Sequence, residues 1–226
     1  MTARKTLNLT SLRSQVYEFL RDAINRAVLK PGEFIDQKSL SAEMGISRTP
    51  LRDALIQLEA EGFVTILPRR GVVVNRLDVD AIRHLYEIIG ALEGAAVVTV
   101  YDRLARDDFG RLRTLNADMV VAIDRGDFDA YYDLNLRFHD TFLDRSDNAT
   151  LVRTVNVCKQ RLYDFPRPPE FLPEWELRST AEHAEFLDLL EAGDARLGAD
   201  YLRDVHWGFE VQRPFVLQYY FGGAAA

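Results

Sequence analysis

Residues 31–74 read PGEFIDQKSLSAEMGISRTPLRDALIQLEAEGFVTILPRRGVVV, and their punctuation decides the N-terminal fold. Gln37 to Gly45 is a short helical run closed by glycine. Ser47 then stands as the N-cap of a second run, Arg48 to Glu61, whose Pro50 sits in the first turn, where the missing N–H costs nothing. Gly62 ends that run. Two β-prone runs follow, Phe63–Leu67 and Val72–Val74, flanking Pro68-Arg69-Arg70-Gly71, which reads as a hairpin with a basic tip. Upstream, Leu12, Val16, Phe19, Leu20, Ile24, Ala27 and Val28 recur at helical spacing after a Ser11 cap, and Lys30-Pro31-Gly32 stops the helix. Glu33-Phe34-Ile35 is a short extended piece.

The helix beginning at Arg48 is two-faced. At 100° per residue Leu51, Ala54, Leu55 and Leu58 share one apolar arc, and Arg48, Thr49 and Arg52 occupy the neighbouring exposed arc. Arg48 and Arg52, four apart, point the same way. A guanidinium grips a guanine edge through two hydrogen bonds, and a helix N-terminus favours anions. A helix that starts Arg-Thr-x-x-Arg after a short helix and a tight glycine turn fits a reader of the DNA major groove. Lys38 would take a phosphate, and Arg69, Arg70 and Gly71 at the hairpin tip would reach adjacent backbone or minor groove. Charge agrees with this placement. Residues 1–75 carry 11 basic and 8 acidic side chains, whereas residues 76–226 carry 17 and 27. The first block can meet a polyanion; the second would be repelled by one.

The chain has 226 residues, of which 47% are hydrophobic and 28% charged, which excludes a disordered chain. Its single cysteine, Cys158, excludes a disulfide scaffold and fits a reducing cytoplasm. No apolar run is long enough to span a membrane, and the N-terminus lacks the apolar core of a secretory signal. From Asp78 onward the pattern is helical, with expected helices at 78–104, 107–125, 127–145, 148–164, 174–192 and 194–220. The expected architecture is mainly α, with a DNA-binding domain at 1–75, a linker at 76–79, an antiparallel all-α bundle of six or seven helices at 80–221, and a disordered tail at 222–226.

Three of the four histidines, His139, His183 and His206, fall on the apolar sides of three different helices of the second block. Each buried imidazole needs a partner, and a shared metal supplies one to all three. Neutral imidazole favours Zn²⁺, Ni²⁺ and related ions. Asn135, one turn before His139, offers an amide oxygen as a weaker fourth ligand. His84 lies at the edge of the Leu85–Ile88–Leu92 face and reads as structural or interfacial.

The stretch 31–74 strongly resembles the winged helix-turn-helix of the GntR superfamily of bacterial transcription factors. The matching elements are Pro31-Gly32, Leu40-Ser41, Gly45-Ile46-Ser47-Arg48-Thr49-Pro50, Leu51-Arg52-Asp53-Ala54-Leu55, Leu58-Glu59-Ala60-Glu61-Gly62 and Arg70-Gly71. The resemblance implies that Lys38, Ser47, Arg48, Thr49 and Arg52, with the wing around Gly71, contact an operator. The second block resembles the FCD-type ligand-binding domain of the FadR branch. The segments that carry this are Leu92-Glu93-Gly94, Asn135 to His139, Asp147-Asn148, Glu182-His183 and Arg203 to His206. It implies that Asn135, His139, His183 and His206 hold a divalent metal, with Asn in place of the commoner Asp. Many relatives carry an effector-facing Arg where this chain has Ile89; Arg103, Arg137 and Arg161 are the candidate substitutes.

The expected protein is a cytoplasmic homodimeric transcription regulator, a repressor, and not an enzyme. Its partners are operator double-stranded DNA and a small organic effector, carboxylic acids among the candidates. Two alternatives stay open: a metal-dependent hydrolase or lyase built on the histidine cluster, and a regulator whose metal is purely structural. Against the enzyme, no carboxylate or serine motif pairs with the cluster as a general base.

Overall fold

The computed structural model describes residues 11–163 and 172–222. The chain divides into two compact units with the boundary between Leu77 and Asp78.

The first unit runs α1 (Leu12–Asn25), α2 (Gln37–Glu43), α3 (Arg48–Ala60), β1 (Val64–Leu67) and β2 (Gly71–Val74). The Ser11 hydroxyl caps α1 by accepting from the Ser14 N–H at 3.2 Å. The helix stops short of the expected Val28 because the Val28 and Leu29 N–H groups both fold back onto the Ala23 carbonyl, with Ala27 at φ 54° between them. That left-handed residue closes the helix as glycine usually does. Asp36 caps α2 through the N–H groups of Lys38 and Ser39. Gly45, at φ 62°, makes the turn that sets α3 across α2, a backbone conformation side chains disfavour.

In β1 and β2, Val64 pairs with Val74 and Leu67 with Gly71. Phe34 adds an isolated bridge to Val73, so the extended piece at 33–35 lies against the hairpin. Val16, Leu20 and Ile24 of α1, Leu51, Leu55 and Leu58 of α3, and Phe63, Val72 and Val74 form one core. Burying each such side chain is worth about 1.5–3 kcal/mol, and this core fixes the orientation of the exposed side of α3. Glu59 ties the helix to the hairpin by accepting from the Ile66 N–H at 2.7 Å.

The second unit holds α4 (Val79–Val100), α5 (Arg106–Asp124), α6 (Phe128–Leu143), α7 (Ala149–Tyr163), α8 (Pro173–Glu191), α9 (Ala195–Tyr201) and α10 (Phe209–Phe221). A 3₁₀ turn, Tyr101–Arg103, follows α4. Asp78 caps α4 by accepting from the Ala81 N–H, so the helix starts inside the expected 76–79 linker. Helix α5 packs against α6 and α8, and α4 against α9. The core includes Ile82, Ile89, Leu112, Met119, Phe138, Phe142, Phe186 and Leu190.

The long helix expected at 194–220 is instead two helices joined by a π turn, Leu202–His206. The Trp207 N–H reaches the Leu202 carbonyl, five residues back, at 2.9 Å. A Cβ at Gly208 would stand 2.0 Å from the Asp204 carbonyl oxygen, so only glycine lets the chain re-enter a helix there. Continuous apolar periodicity hid the break. Gly222 closes α10, and the rest of the expected disordered tail, with residues 164–171 between α7 and α8, lies outside the described residues. Among the described residues no helix is long and apolar enough to cross a membrane.

Candidate functional site

In the first unit, Arg48, Thr49 and Arg52 stand exposed on the first turns of α3, opposite its buried Leu51, Ala54, Leu55 and Leu58. The Ser47 hydroxyl makes no capping bond to the helix, although the residue occupies the N-cap position. Lys38 is exposed in the first turn of α2, and Arg69 and Arg70 are exposed at the hairpin tip. Arg69 takes φ 63° and Gly71 φ 117°, the positive values that a tight tip demands. Arg52 and Arg69 line the same cleft between α3 and the hairpin, together with Gln37, Ile66 and Pro68. Among the described residues none of Lys38, Arg48, Arg52, Arg69 and Arg70 has an ion-pair partner. Arg21 of α1 and Arg26 just after it contrast with them, pairing with Glu18 and Asp22. Unpaired cations on the exposed helix, its neighbour and the hairpin tip have donors free for phosphates and base edges.

In the second unit, His139 on α6, His183 on α8 and His206 at the end of the π turn converge, with one ligating atom of each within 4.8 Å of the others. All three are buried. Their ring centroids lie 4.7 to 5.3 Å apart. Phe138 stacks on His183 at 4.1 Å, and Phe142 meets His139 edge-on.

A hydrogen-bond partner fixes each ring. His139 Nδ1–H donates to Glu93 Oε2 at 2.8 Å, and His206 Nδ1–H to Glu182 Oε2 at 3.1 Å. A carboxylate can only accept, so both Nδ1 atoms carry the proton. His183 Nδ1–H donates to Asn116 Oδ1 at 3.2 Å, and the Asn116 amide is oriented by donating to the Thr180 carbonyl at 2.9 Å. In a neutral ring so bonded, Nε2 is a lone pair. The Nε2 atoms of His139 and His183 are buried and meet no donor, and neither does Asn135 Oδ1 one turn before His139. Orphaned buried acceptors of this kind are what a metal ion satisfies.

Burial pushes the His139 imidazole down to about 4 and that of His183 well below its ordinary value, keeping both neutral, as ligation requires. For Glu93, burial works upward, but His139 and Lys159 beside it outweigh burial and hold the carboxylate well below the usual range. Lys159 of α7, itself buried, forms an ion pair with Glu93 Oε1, and Trp207 Nε1–H donates to Glu93 Oε2 at 2.7 Å. Glu182 is also lowered: burial raises it, and the bonds from His206, Arg178 and Gln212 outweigh that. Gln212 Nε2 donates to both Glu182 oxygens, at 3.0 and 3.1 Å.

The sequence reading placed the three imidazoles but assigned no role to Glu93, Asn116, Glu182, Lys159, Trp207 or Gln212. Glu93 and Glu182 stand in segments that carry the family resemblance; the others join the site through the fold alone. Two candidate effector arginines are not brought inside: Arg103 is exposed and bonded to Asp147, and Arg137 is exposed and bonded to Asp133. Arg161 is half-buried on α7, its Nε lacking an acceptor. Ile89 is fully buried, and His84 is exposed on α4.

A helix-turn-helix head with free cations on its exposed helix, followed by a helical domain with a shielded polar cluster, defines a DNA-binding regulator. A family profile described as "Bacterial regulatory proteins, gntR family" matches residues 12–74, and one described as "FCD domain" matches residues 84–205. The chain belongs to the GntR family of bacterial regulatory proteins and carries an FCD domain; it is a transcriptional regulator with a DNA-binding domain. It is 28% identical over 180 residues to the HTH-type transcriptional repressor RspR of Escherichia coli, covering 76% of this chain and 79% of that one. A transcriptional regulator from the TAR-I region of Agrobacterium vitis is 34% identical over 137 residues, covering 58% and 78%. The solved structure of Escherichia coli McbR/YncC superposes with a TM-score of 0.64 at 23% identity, covering 86% and 92%, a likeness of fold. These relatives are regulators, not enzymes. FCD domains bind metal, and this one has the three-histidine cluster.

Proposed function

We propose that the protein is a repressor whose grip on its operator is set by a small effector bound beside a divalent metal, zinc or nickel, in the helical domain. The observation that carries this reading is the convergence of three buried imidazoles, each with its Nδ1 proton committed to a hydrogen bond and its Nε2 left to ligate. His139, His183, His206 and Asn135 would hold the ion, which supplies a Lewis-acidic centre for an oxyanion. Glu93, Asn116 and Glu182 keep the rings in the ligating tautomer. Phe138 and Phe142 shield the rings from water.

Arg48, Thr49 and Arg52 would read base edges from the major groove, while Lys38, Ser47, Arg69, Arg70 and the Gly71 tip engage the backbone and flanking groove. Two copies of the chain would read the two halves of a pseudo-palindromic operator. Exposed Ile88 and Val98, with Ala91 and Ala95 on the same side of α4, support a self-complementary contact between copies. The effector acts by preferring one arrangement of the two heads; equal affinity for both would shift nothing.

The test measures bound metal and operator affinity together. His183→Ala should lower metal content by elemental analysis and abolish any effector response, while the protein still binds operator in an anisotropy titration. Unchanged metal content would refute the site. Metal that raises the melting temperature, with no small molecule altering operator affinity, would instead show a purely structural ion.

A further inference from the structure

His139 and His183 stand inside α6 and α8, whose hydrogen-bond ladders hold their backbone. His206 ends the π turn Leu202–His206, a local departure from that ladder. Its backbone and its ring therefore need holding from outside the turn.

Gln212 does both. It lies in the first turn of α10 and is 2% exposed. Its Nε2 donates to the carbonyl of Val205, the residue before His206, at 3.0 Å. The same Nε2 donates to Glu182 Oε1 and Oε2 at 3.0 and 3.1 Å. Glu182 Oε2 is the acceptor of His206 Nδ1–H. One NH₂ group thus ties down the backbone next to His206 and the carboxylate that aims its ring.

The amide is fixed in this sense. Trp175 Nε1–H can only donate, and it reaches Gln212 Oε1 at 2.9 Å. Turning the amide over would set two donors against each other and an acceptor against Glu182 and the Val205 carbonyl. Trp175 is itself held by stacking on Phe215, with ring centroids 6.0 Å apart and planes 5° from parallel, and by an edge contact with Tyr219. An apolar side chain would fill the space of Gln212 without desolvating an amide. A polar network with every member satisfied instead specifies one arrangement.

Resting on the metal-site reading above, we infer that Gln212 is a positioning residue for His206: it clamps the π turn and orients Glu182, so that the imidazole meets the ion in a single pose. It touches neither the ion nor its ligands, and it joins the site from the far side of the turn, across Gly208.

The test uses the full chain. Zinc affinity is read by competition with a chromophoric chelator, and the visible d–d spectrum of the cobalt(II)-loaded chain reads ligand number and geometry. Gln212→Leu should weaken zinc binding tenfold or more and alter the cobalt spectrum. A packing role alone would lower the melting temperature of the metal-free chain and leave both metal readouts unchanged. Gln212→Glu keeps the size and the acceptor for Trp175 but sets a second carboxylate against Glu182, and the same tenfold loss is expected. Adding Glu182→Gln to Gln212→Glu exchanges the roles. The new amide at 182 accepts from His206 Nδ1–H and donates to the new carboxylate at 212, so zinc affinity should return to within about threefold of wild type. This pair decides by itself if Gln212→Leu does not fold, as judged by near-UV dichroism. Wild-type zinc affinity in the single variants, or a double variant binding no tighter than Gln212→Glu, overturns this inference and leaves the metal site standing. A wild-type chain that binds no zinc overturns both.

Discussion

Arg52 and Lys38 are both exposed and unpaired, yet their positions give them different work. Arg52 sits on the second turn of α3, in reach of base edges when the helix lies in a groove. Lys38 sits at the start of α2, where in the proposed docking it would meet a phosphate. Arg52→Ala should therefore weaken operator binding by about 1–3 kcal/mol and relax discrimination at one base position. Lys38→Ala should weaken binding alike on all sequences and reduce the salt slope by about 1. Salt-dependent anisotropy titrations on operator and scrambled DNA separate the two. Equal losses on both sequences for Arg52→Ala would remove α3 as the reader.

At the scale of elements, the π turn is what delivers His206. The π turn holds one residue more than an α-turn, so an unbroken α-helix continued from α9 would place the residues after it about 100° away around the axis. His206 would then leave the face shared with His139 and His183. Gly208 permits the re-entry into α10, and Gly90 of α4 lets the turn come close, since a Cβ there would meet Trp207 Cβ at 2.9 Å. Gly208→Ala should displace His206 and lower metal affinity tenfold or more, in the range seen when ligand supports are lost. It should leave the DNA-binding unit folded. Competition with a chromophoric chelator reads the first effect, and far-UV and near-UV dichroism with DNA binding read the second. Wild-type metal affinity in this variant would show that the turn does not position the ligand.

At the scale of the whole molecule, stability and metal occupancy are linked. An ion present at a hundredfold its dissociation constant stabilises the folded state by about 2.7 kcal/mol, so a chelator should lower the melting temperature by roughly 5–10 °C. The metal-free protein should also lose stability on acidification. His139 is held near 4 against an ordinary value of 6.5, so the unfolded chain binds its proton first as pH falls. The loss sets in below about 6.5 and is complete below about 4. Denaturation midpoints measured across that window check the sign; a midpoint that rises on acidification would contradict the buried neutral state.

The sequence alone determined the elements of the head, because caps, glycine stops and helical periodicity are local and act within a few residues: Ser11, Gly45, Ser47 and Gly62 each mark a boundary that the structure keeps to within a few positions. It also determined the three inward imidazoles, because each lies on the apolar face of its own helix. Only the tertiary structure decided their supports. Glu93, Asn116 and Lys159 are 46, 67 and 66 residues from the groups they serve, and nothing local distinguishes them from solvated polar side chains until helices pack them together. The same holds for the arginines: helical periodicity could not separate Arg103 and Arg137, which stay at the surface, from Lys159, which is buried, because burial of a long cation depends on what the neighbouring helix offers it.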